Sequence, residues 1–387
     1  MYNMKKNKRS SLKKYLFVFL IGVIIIISFS YFLFYKNNKK YQILNFEKNE
    51  LSNISLKYTD NGKYDIELLK TADKKLIYGT IFDSSENGNL FLTKGIYTFN
   101  ITSNKFNYYK NDEKNRIIDF YINNNILYKV VLENTSSNNY YWKIIRQNLL
   151  TNSEEIFITG YIVNIFDYPR LLVYNNNIYA IAVSNEGIDG SSETYSFYQF
   201  LTTPNNSVKE LFKYNGSILE DIGILNYNIS NNKIYSDNLY YTVVDEKHVQ
   251  YLIKFNLNSS KKSIIKENKS KDKVLYNYVP TDDGIYIQFA SIDETEKSII
   301  EYYSNDDIST LETDINTFEN QINNTNLLFH NKGNVWILYN IVENKLNPLN
   351  TNLKDKNLYP KYLVVDKNTI IVQDFDNNFY IGTLKTH

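Results

Sequence analysis

The chain has 387 residues, with 43 Lys and Arg against 42 Asp and Glu and no cysteine. Without cysteine, disulfides, zinc-thiolate sites, iron-sulfur clusters and a catalytic thiol are excluded. Residues 1–40 hold nine Lys or Arg and no acid, so the net charge of +1 leaves about −8 for residues 41–387. Such an acidic domain repels phosphate backbones, and we expect no nucleic-acid partner. The Asn, Lys, Ile and Tyr bias indicates a low-GC Gram-positive bacterium.

One uncharged segment near the N-terminus has the length of a membrane span. Tyr15–Tyr35 contains 21 residues without a charge, and 21 helical residues match a hydrocarbon core about 30 Å thick. Its aromatic end suits a membrane interface better than the small-residue cleavage site of the alternative, a secretory signal peptide. Six positive charges precede the segment and three follow it. The sequence therefore predicts a single-pass cell-membrane protein with a cytoplasmic N-terminus and an extracellular C-terminal domain.

The predicted organisation has four parts: a basic cytoplasmic tail (1–14), a transmembrane helix (15–35), a stalk (36–50) and an extracellular domain (51–387). After residue 50, short apolar or alternating runs recur between clusters of Asn, Asp, Gly and Ser. This pattern is typical of strands and turns, so the extracellular domain is predicted to be all-β.

A repeat of about 50 residues runs through this domain. An aliphatic residue followed by an aromatic one recurs just after a turn, and the aromatic positions are Tyr78, Tyr128, Tyr179, Tyr240, Tyr286 and Trp336, with Ile371 as a degenerate seventh. The second unit contains four strand-like runs, which begin at Arg116, Ile126, Tyr140 and Glu154. These features predict a β-propeller of about seven (six to eight) four-stranded blades. The last unit has about three strands, so part of residues 41–58 is expected to complete it.

In this architecture the chain resembles bacterial membrane-anchored β-propeller proteins, of the low-density-lipoprotein-receptor-like type. The resemblance covers nearly all of the extracellular domain but no motif: no Trp-Asp pair, Gly-Gly pair or Tyr-Trp-Thr-Asp occurs. It therefore transfers no functional residue. The alternatives are a pair of β-sandwiches or a β-solenoid. Ser309–Ile322 interrupts the repeat, because its apolar spacing and its Ser309–Glu312 capping box predict a short amphipathic helix.

Enzyme signatures are missing from the sequence. It contains no G-x-S-x-G, P-loop, H-E-x-x-H or G-x-G-x-x-G. His248, His330 and His387 are too scattered for a histidine-based metal site, and we expect no cofactor or metal. Asp374, Asp376 and Asn378 have the spacing of calcium-loop ligands, but the Gly and Glu that such a loop needs are replaced by Phe379 and Lys385, so a hairpin turn is the better interpretation.

Acidic residues collect in one class of predicted loop, the class that joins second to third strands. The main ones are Glu133, Glu186, Asp189, Glu193, Asp245, Glu246, Asp293, Glu294, Asp374 and Asp376, accompanied by Asp83, Glu86 and Glu296. Because these loops open on one face of a propeller, that face is predicted to be acidic and to attract a cation, a basic peptide or a cationic wall component. Loop solubility is the alternative explanation.

Two functions follow as hypotheses. The first is a non-catalytic cell-surface binding or scaffold module that engages a protein or cell-envelope partner through the acidic loop face. The second is a surface hydrolase of glycans or peptides with a carboxylate pair in the propeller funnel. The sequence leaves the question of enzyme activity open and favours the first.

Overall fold

The computed structural model describes residues 41–53, 64–72, 76–83, 92–111, 115–134, 140–162, 168–175, 177–186, 192–200, 208–215, 233–244, 247, 249–282, 284–291, 297–304, 308–313, 318–323, 326–331, 335–340, 345–352, 361–366, 368–374 and 376–386. Within them, nearly every residue outside a turn belongs to a strand. The strands in chain order are β1 (Tyr41–Lys48), β2 (Asp65–Ala72), β3 (Leu76–Asp83), β4 (Leu92–Asn100), β5 (Lys105–Lys110), β6 (Arg116–Asn123), β7 (Ile126–Asn134), β8 (Tyr140–Asn148), β9 (Glu154–Ile162), β10 (Arg170–Tyr174), β11 (Asn177–Glu186), β12 (Ser192–Phe200), β13 (Val208–Asn215), β14 (Lys233–Tyr235), β15 (Asn238–Val244), β16 (Gln250–Asn256), β17 (Lys262–Asn268), β18 (Lys273–Pro280), β19 (Gly284–Ser291), β20 (Ser298–Ser304), β21 (Ile308–Thr313), β22 (Phe318–Asn323), β23 (Asn326–Asn331), β24 (Val335–Asn340), β25 (Lys345–Pro348), β26 (Asn350–Thr351), β27 (Lys361–Asp366), β28 (Thr369–Gln373) and β29 (Phe379–Thr386).

The strands form antiparallel sheets of neighbours in sequence. Six sheets contain four consecutive strands each, and we number these blades 1 to 6: β2–β5, β6–β9, β10–β13, β14–β17, β18–β21 and β22–β25. Blade 7 is five-stranded, in the order β26-β1-β29-β28-β27. Its inner strand, β27, contacts the inner strands of blades 1 and 6, which closes a ring. The predicted propeller of six to eight blades is therefore confirmed, and the sandwich and solenoid alternatives are wrong.

The N-terminal strand closes the ring. β1 pairs antiparallel with β29 and parallel with β26, so that the two ends of the described chain share blade 7. The amide of Asn352 brackets Phe46, with Oδ1 accepting from the Phe46 N–H and Nδ2 donating to the Phe46 carbonyl, both at 2.7 Å. The expectation that residues near 41–58 complete the last blade is confirmed. Residues 41–48 are thus part of the propeller, which corrects their assignment to the stalk.

Tight turns explain the Asn-rich segments between first and second strands. Asn124 and Asn125, between β6 and β7, have φ of 45° and 65°, and Ser236 and Asp237, between β14 and β15, have φ of 45° and 59°. Two-residue hairpins require such left-handed conformations, which Asn and Asp tolerate better than most residues.

A second Asn-based turn joins third to fourth strands in blades 1, 2 and 4. In each, the side-chain oxygen of the last strand residue accepts hydrogen bonds from the N–H groups two and three residues further on; these residues are Asn100, Asn148 and Asn256. The fifth residue of each turn, Asn104, Asn152 or Ser260, has a positive φ. The spacing Asn-x-x-Ser/Thr-Asn/Ser is therefore a second repeat signal.

Strand direction alternates within each blade, so the connections collect at two ends. We call the end with first-to-second and third-to-fourth connections the turn face. The end with second-to-third connections and the links between blades is the loop face. Tyr41 lies opposite Thr386 and Lys48 lies opposite Tyr380, so β1 enters at the turn face and ends at the loop face.

Burial decreases from the inner to the outer strands. All seven residues of β15 are buried, whereas the first three residues of β17 are exposed. The aromatic repeat lies on the well-buried second strands: Tyr78, Tyr128, Tyr179, Tyr240 and Tyr286 each occupy the third position of theirs. They pack between blades, as Tyr78 does against Phe120, with ring centroids 5.3 Å apart. The predicted equivalence is therefore confirmed for these five residues.

Two sequence predictions in blade 6 and its neighbourhood are wrong. Trp336 lies on β24, the third strand of its blade, because residues 332–334 separate the second strand from the third, not the first from the second. The predicted helix Ser309–Ile322 is replaced by β21 and β22. Ser309 and Glu312, the expected capping box, pair instead with Tyr302 and Ile299 of β20. Ladder pairing with the neighbouring strands overrides the local helical spacing.

Hydrogen bonds from a side chain of one blade to the backbone of the next occur at four blade junctions. A side-chain oxygen of one blade accepts the N–H of the next inner strand: Gln373 from Leu68 at 3.2 Å, Thr93 from Ile117 at 2.8 Å, Asp119 from Leu171 at 2.8 Å and Gln250 from Leu275 at 2.6 Å. We call these contacts blade staples. Leu68, Ile117 and Leu275 directly precede β-bulges in their strands, so the staples satisfy donors where ladder pairing is disrupted.

The N-terminal predictions concern other residues. The tail 1–14, the segment Tyr15–Tyr35 and the first stalk residues lie outside the described part of the chain. Among the residues that the structure describes, no helix combines the length and the apolar character needed to span a bilayer.

Candidate functional site

The described members of the predicted acidic set lie at the loop-face ends of second and third strands or in the connections between them. Glu133 is the next-to-last residue of β7, Glu186 ends β11, Glu193 lies in β12 and Asp374 follows β28. Asp189, Asp245, Glu246, Asp293 and Glu294 stand in the chain between second and third strands, outside the described residues. Glu186 pairs with Ser192 and Asn185 pairs with Glu193, so two of the acids flank one hairpin of blade 3.

Several of the described acids have local partners. Glu133 Oε1 accepts from Lys143 Nζ at 2.8 Å, and Asp83 forms an ion pair of 3.7 Å with Lys94. Asp374 accepts hydrogen bonds from the N–H groups of Asp376 and Asn378, which fits the hairpin-turn interpretation of this segment. Asp376 itself is exposed. The described acids therefore give the face less uncompensated charge than the sequence count indicates.

Histidine and carboxylate clusters give no metal site in the described residues, where no group of three or more His, Asp or Glu side chains is arranged to hold an ion. His330 lies in β23, opposite Trp336. His248 and His387 lie outside the described residues.

Charged side chains of three inner strands meet near the propeller axis, a feature that the sequence analysis missed. Lys70 Nζ, from β2 of blade 1, donates to Asp119 Oδ1, from β6 of blade 2, at 2.5 Å. The same Nζ lies 3.4 Å from the carbonyl oxygen of Leu171, in β10 of blade 3. Because Lys70 reaches past blade 2 to blade 3, its side chain must run along the axis side of β6.

Asp119 ties the three blades together. Its Oδ1 also accepts the N–H of Phe120 at 2.8 Å, and its Oδ2 accepts the N–H of Leu171 at 2.8 Å. The Asp119 side chain is 4% exposed, so both oxygens meet donors in a desolvated setting, as a buried carboxylate requires.

Tyr168 and Arg170 continue the group toward the loop face, where inner strands begin. The guanidinium of Arg170 lies over the Tyr168 ring, 4.1 Å from its centroid, and Nη2 donates to the Tyr168 hydroxyl. Glu67, Arg116 and Asp119 are close enough for their charges to act on that hydroxyl. We call Glu67, Lys70, Arg116, Asp119, Tyr168 and Arg170 the channel cluster.

The pKa shifts in the channel cluster follow from burial and neighbouring charge. Burial lowers the pKa of Lys70 from its usual 10.5; the carboxylate of Asp119 opposes this change and Arg170 adds to it. Burial raises the pKa of Tyr168 from its usual 10.0, against the effect of Arg170. Both shifts indicate a site partly withdrawn from water.

A sequence signal for the channel cluster exists. Asp119 lies between the buried apolar residues Ile118 and Phe120 of RIIDFYIN. An acid or a base between buried apolar neighbours must have a partner. The partner's identity depends on which blades adjoin at the axis, and the sequence does not specify that geometry.

Comparisons with known proteins find similar solved structures but no related family. No family model matches the chain, and no curated protein matches it. An oligogalacturonate lyase from Vibrio parahaemolyticus is 8% identical, over 84% of this chain and 97% of that one, with a TM-score of 0.47. The β-propeller domain of the Trilobed protease from Pyrococcus furiosus is 12% identical, over 80% and 90%, with a TM-score of 0.47. A structure of YCF48 bound to D1 peptide is 8% identical, over 84% and 97%, also with a TM-score of 0.47.

At these identities the comparisons carry no argument about ligand or reaction. The class of the protein follows from its own strand order: it is a β-propeller in which the first and last described strands share the closing blade.

Proposed function

We propose that this protein is a non-catalytic binding or scaffold module at the cell surface. In this proposal residues 15–35 anchor it in the membrane as a single span, the N-terminus is cytoplasmic, and the propeller outside engages a cationic protein or cell-envelope partner through its loop face. The observation that carries the proposal is the strand order, since it gathers acidic connections from six blades at the loop face. Their summed field attracts a cation more than any single loop would.

The entry point of β1 supports this orientation. Tyr41 lies opposite Thr386 at the turn face. A link of five residues, 36–40, spans at most about 18 Å. An anchor that ends at Tyr35 would therefore hold the turn face near the bilayer and leave the loop face directed outward, toward the cell envelope.

A charge-matched pair of triple variants tests the loop face. Glu186→Gln, Asp189→Asn and Glu193→Gln together should weaken capture of an oligolysine peptide by the full-length protein. The control, Glu155→Gln, Glu210→Gln and Asp282→Asn, removes the same charge from exposed positions near the turn face and should leave capture unchanged. Capture should also weaken with salt, because the screening length falls from about 10 Å at 0.1 M to about 3 Å at 1 M. Equal effects of the two triples, or indifference to salt, would contradict the proposal.

Membrane topology is tested separately. Protease added to intact cells or protoplasts should digest the propeller and spare the basic tail, since the positive charges flanking residues 15–35 favour a cytoplasmic N-terminus. A propeller protected until the cells are lysed would contradict the anchoring.

The alternative, a surface hydrolase of glycans or peptides, requires a carboxylate pair with an oxygen available to protonate or attack substrate. In the described channel cluster, both oxygens of Asp119 are engaged by Lys70 and two backbone N–H groups. This arrangement suits a structural carboxylate, and so the binding function is the one the geometry favours.

A further inference from the structure

The channel cluster carries more positive than negative charge. Lys70, Arg116 and Arg170 supply three cations against the carboxylates of Glu67 and Asp119. Lys70 and Asp119 contact each other at 2.5 Å, and the Asp119 oxygens are already engaged by donors. Charges withdrawn from water are normally compensated by a partner. Arg170 is half-buried, so the net positive charge of the channel cluster is partly withdrawn from water and favours an anion beside it.

Arg170 is the residue best prepared to receive it. Stacking on Tyr168 and the hydrogen bond to its hydroxyl fix the guanidinium plane. Among the described residues, Arg170 forms no ion pair within 4.0 Å. A guanidinium presents five N–H donors in a planar fork that matches the oxygens of a carboxylate or phosphate. Most of these donors remain for a ligand.

The position of other basic residues supports the same conclusion. Inner strands run from the loop face, and five of them start with a base: Arg116 in β6, Arg170 in β10, Lys233 in β14, Lys273 in β18 and Lys361 in β27. β14 is short and starts opposite Tyr240, so Lys233 lies near the turn face. The backbone places the other four basic positions toward the loop face, at the channel mouth and inside the acidic connections. The acidic rim and the basic mouth are separate features.

We propose that the channel mouth binds an oxyanion, the carboxylate or phosphate group of a small ligand, with Arg170 as the principal contact. The site is distinct from the loop-face surface of the proposed function, and it does not require the protein to be anchored or to bind a cation. Failure of one proposal leaves the other standing.

The test uses the full-length protein with inorganic phosphate and acetate as probes, titrated against chloride at equal ionic strength. Phosphate should bind the unaltered protein and raise its melting temperature, since a ligand that binds the folded state stabilises it. Arg170→Gln should weaken binding at least tenfold. Arg146→Gln, which removes an Arg from β8 outside the channel cluster, should leave binding unchanged. Competition by acetate would show that carboxylates also bind at this site. Phosphate binding that acetate does not weaken would restrict the ligand to phosphates.

Arg170→Lys keeps the charge but loses the planar fork, so it should bind phosphate more weakly than the unaltered protein and more tightly than Arg170→Gln. If Arg170→Gln fails to fold, the phosphate affinities of the unaltered protein and Arg170→Lys decide whether Arg170 contacts the anion. Equal phosphate affinity in the unaltered protein and in Arg170→Lys, or no effect of phosphate beyond that of chloride, would overturn the proposal.

Discussion

Single side chains join the blades of this propeller. Each blade staple crosses a junction and accepts an inner-strand N–H that would otherwise face an apolar interior. The amide of Gln373 makes three hydrogen bonds. Its Oε1 accepts from the N–H of Leu68, and its Nε2 donates to the carbonyl of Ile66 and to Oδ1 of Asn377. It therefore connects blade 7, which contains the first and last described strands, to blade 1.

We expect Gln373→Leu to lower the free energy of unfolding by about 2–4 kcal/mol, because it leaves a buried N–H and a buried carbonyl without partners. Gln199→Leu, at a half-buried position within blade 3, is the control and should cost less than about 0.5 kcal/mol. Denaturant titration of both variants measures the difference. Similar values would mean that the staple at this junction adds nothing to stability.

Buried tyrosines give the protein a stability limit at high pH. Burial raises the pKa of Tyr97 and of Tyr278 well above the usual 10.0. Their hydroxyls donate to the backbone carbonyls of Glu67 and Tyr240, at 3.2 and 2.7 Å. Above pH 10 the unfolded chain loses these protons while the folded chain keeps them. The stabilisation is therefore complete below the unfolded pKa and is lost as pH rises toward the folded pKa.

Each such tyrosine should lower the free energy of unfolding by about 1.4 kcal/mol per pH unit in that range. Tyr97→Phe with Tyr278→Phe should make the pH dependence shallower, whereas Tyr161→Phe, 52% exposed, should leave it unchanged. Denaturant titrations at several alkaline pH values, with tyrosinate absorbance as the probe of ionisation, would show the slopes. An unaltered slope in the double variant would contradict the assignment.

At the scale of elements, the second strands are what the sequence revealed best. They are covered on both sides by neighbouring blades, so most of their described side chains are buried and apolar, and Tyr at the third position fills the space between sheets. The repeat of Tyr78, Tyr128, Tyr179, Tyr240 and Tyr286 is a direct result. In blade 6 the third position of the second strand, β23, holds Leu328. The predicted repeat therefore falls on Trp336, an aromatic residue on the next strand, β24.

The other errors have physical causes too. Residues 308–322 have helical spacing, but β20 offers a ladder to their first half and β23 to their second, and pairing prevails over local propensity. The channel cluster and the blade staples were not predictable, because they depend on how far a side chain reaches across a junction. Loop composition predicted the acidic residues of the loop face. It did not predict that Asp83 pairs with Lys94 and Glu133 with Lys143.

β1 is the element on which closure depends. Leu44, fully buried, packs with Phe46, Leu349, Ile370 and Leu384 in blade 7. Leu44→Ala should lower the free energy of unfolding by about 2–5 kcal/mol, as large-to-small changes in a core do. Glu47→Ala, exposed on the same strand, should have an effect below about 0.5 kcal/mol. Thermal unfolding of the two variants tests this, and equal melting temperatures would mean that β1 is dispensable for the closed ring.

At the scale of the whole molecule, a covalent bond across β1 and β29 should stabilise the ring. Asn45 and Thr383 are directly paired, and paired Cα atoms about 4.5–5.5 Å apart suit a disulfide. Because the chain has no cysteine, Asn45→Cys with Thr383→Cys would form one defined bond. We expect the oxidised form to be more stable than the reduced form by about 2–4 kcal/mol. Identical melting of the two forms would show that unfolding begins elsewhere.

The direction of β1 also determines how the protein would respond to mechanical force. A pull applied at Tyr41 and opposed by a partner on the loop face would act along the axis of β1. The hydrogen bonds between β1 and β29, from Tyr41 opposite Thr386 to Lys48 opposite Tyr380, would then be loaded together in shear. Shear strains all these hydrogen bonds at once, whereas peeling breaks them one at a time. Closure by the N-terminal strand therefore gives the β1–β29 ladder its highest resistance to force in the direction in which a surface-tethered propeller would be pulled.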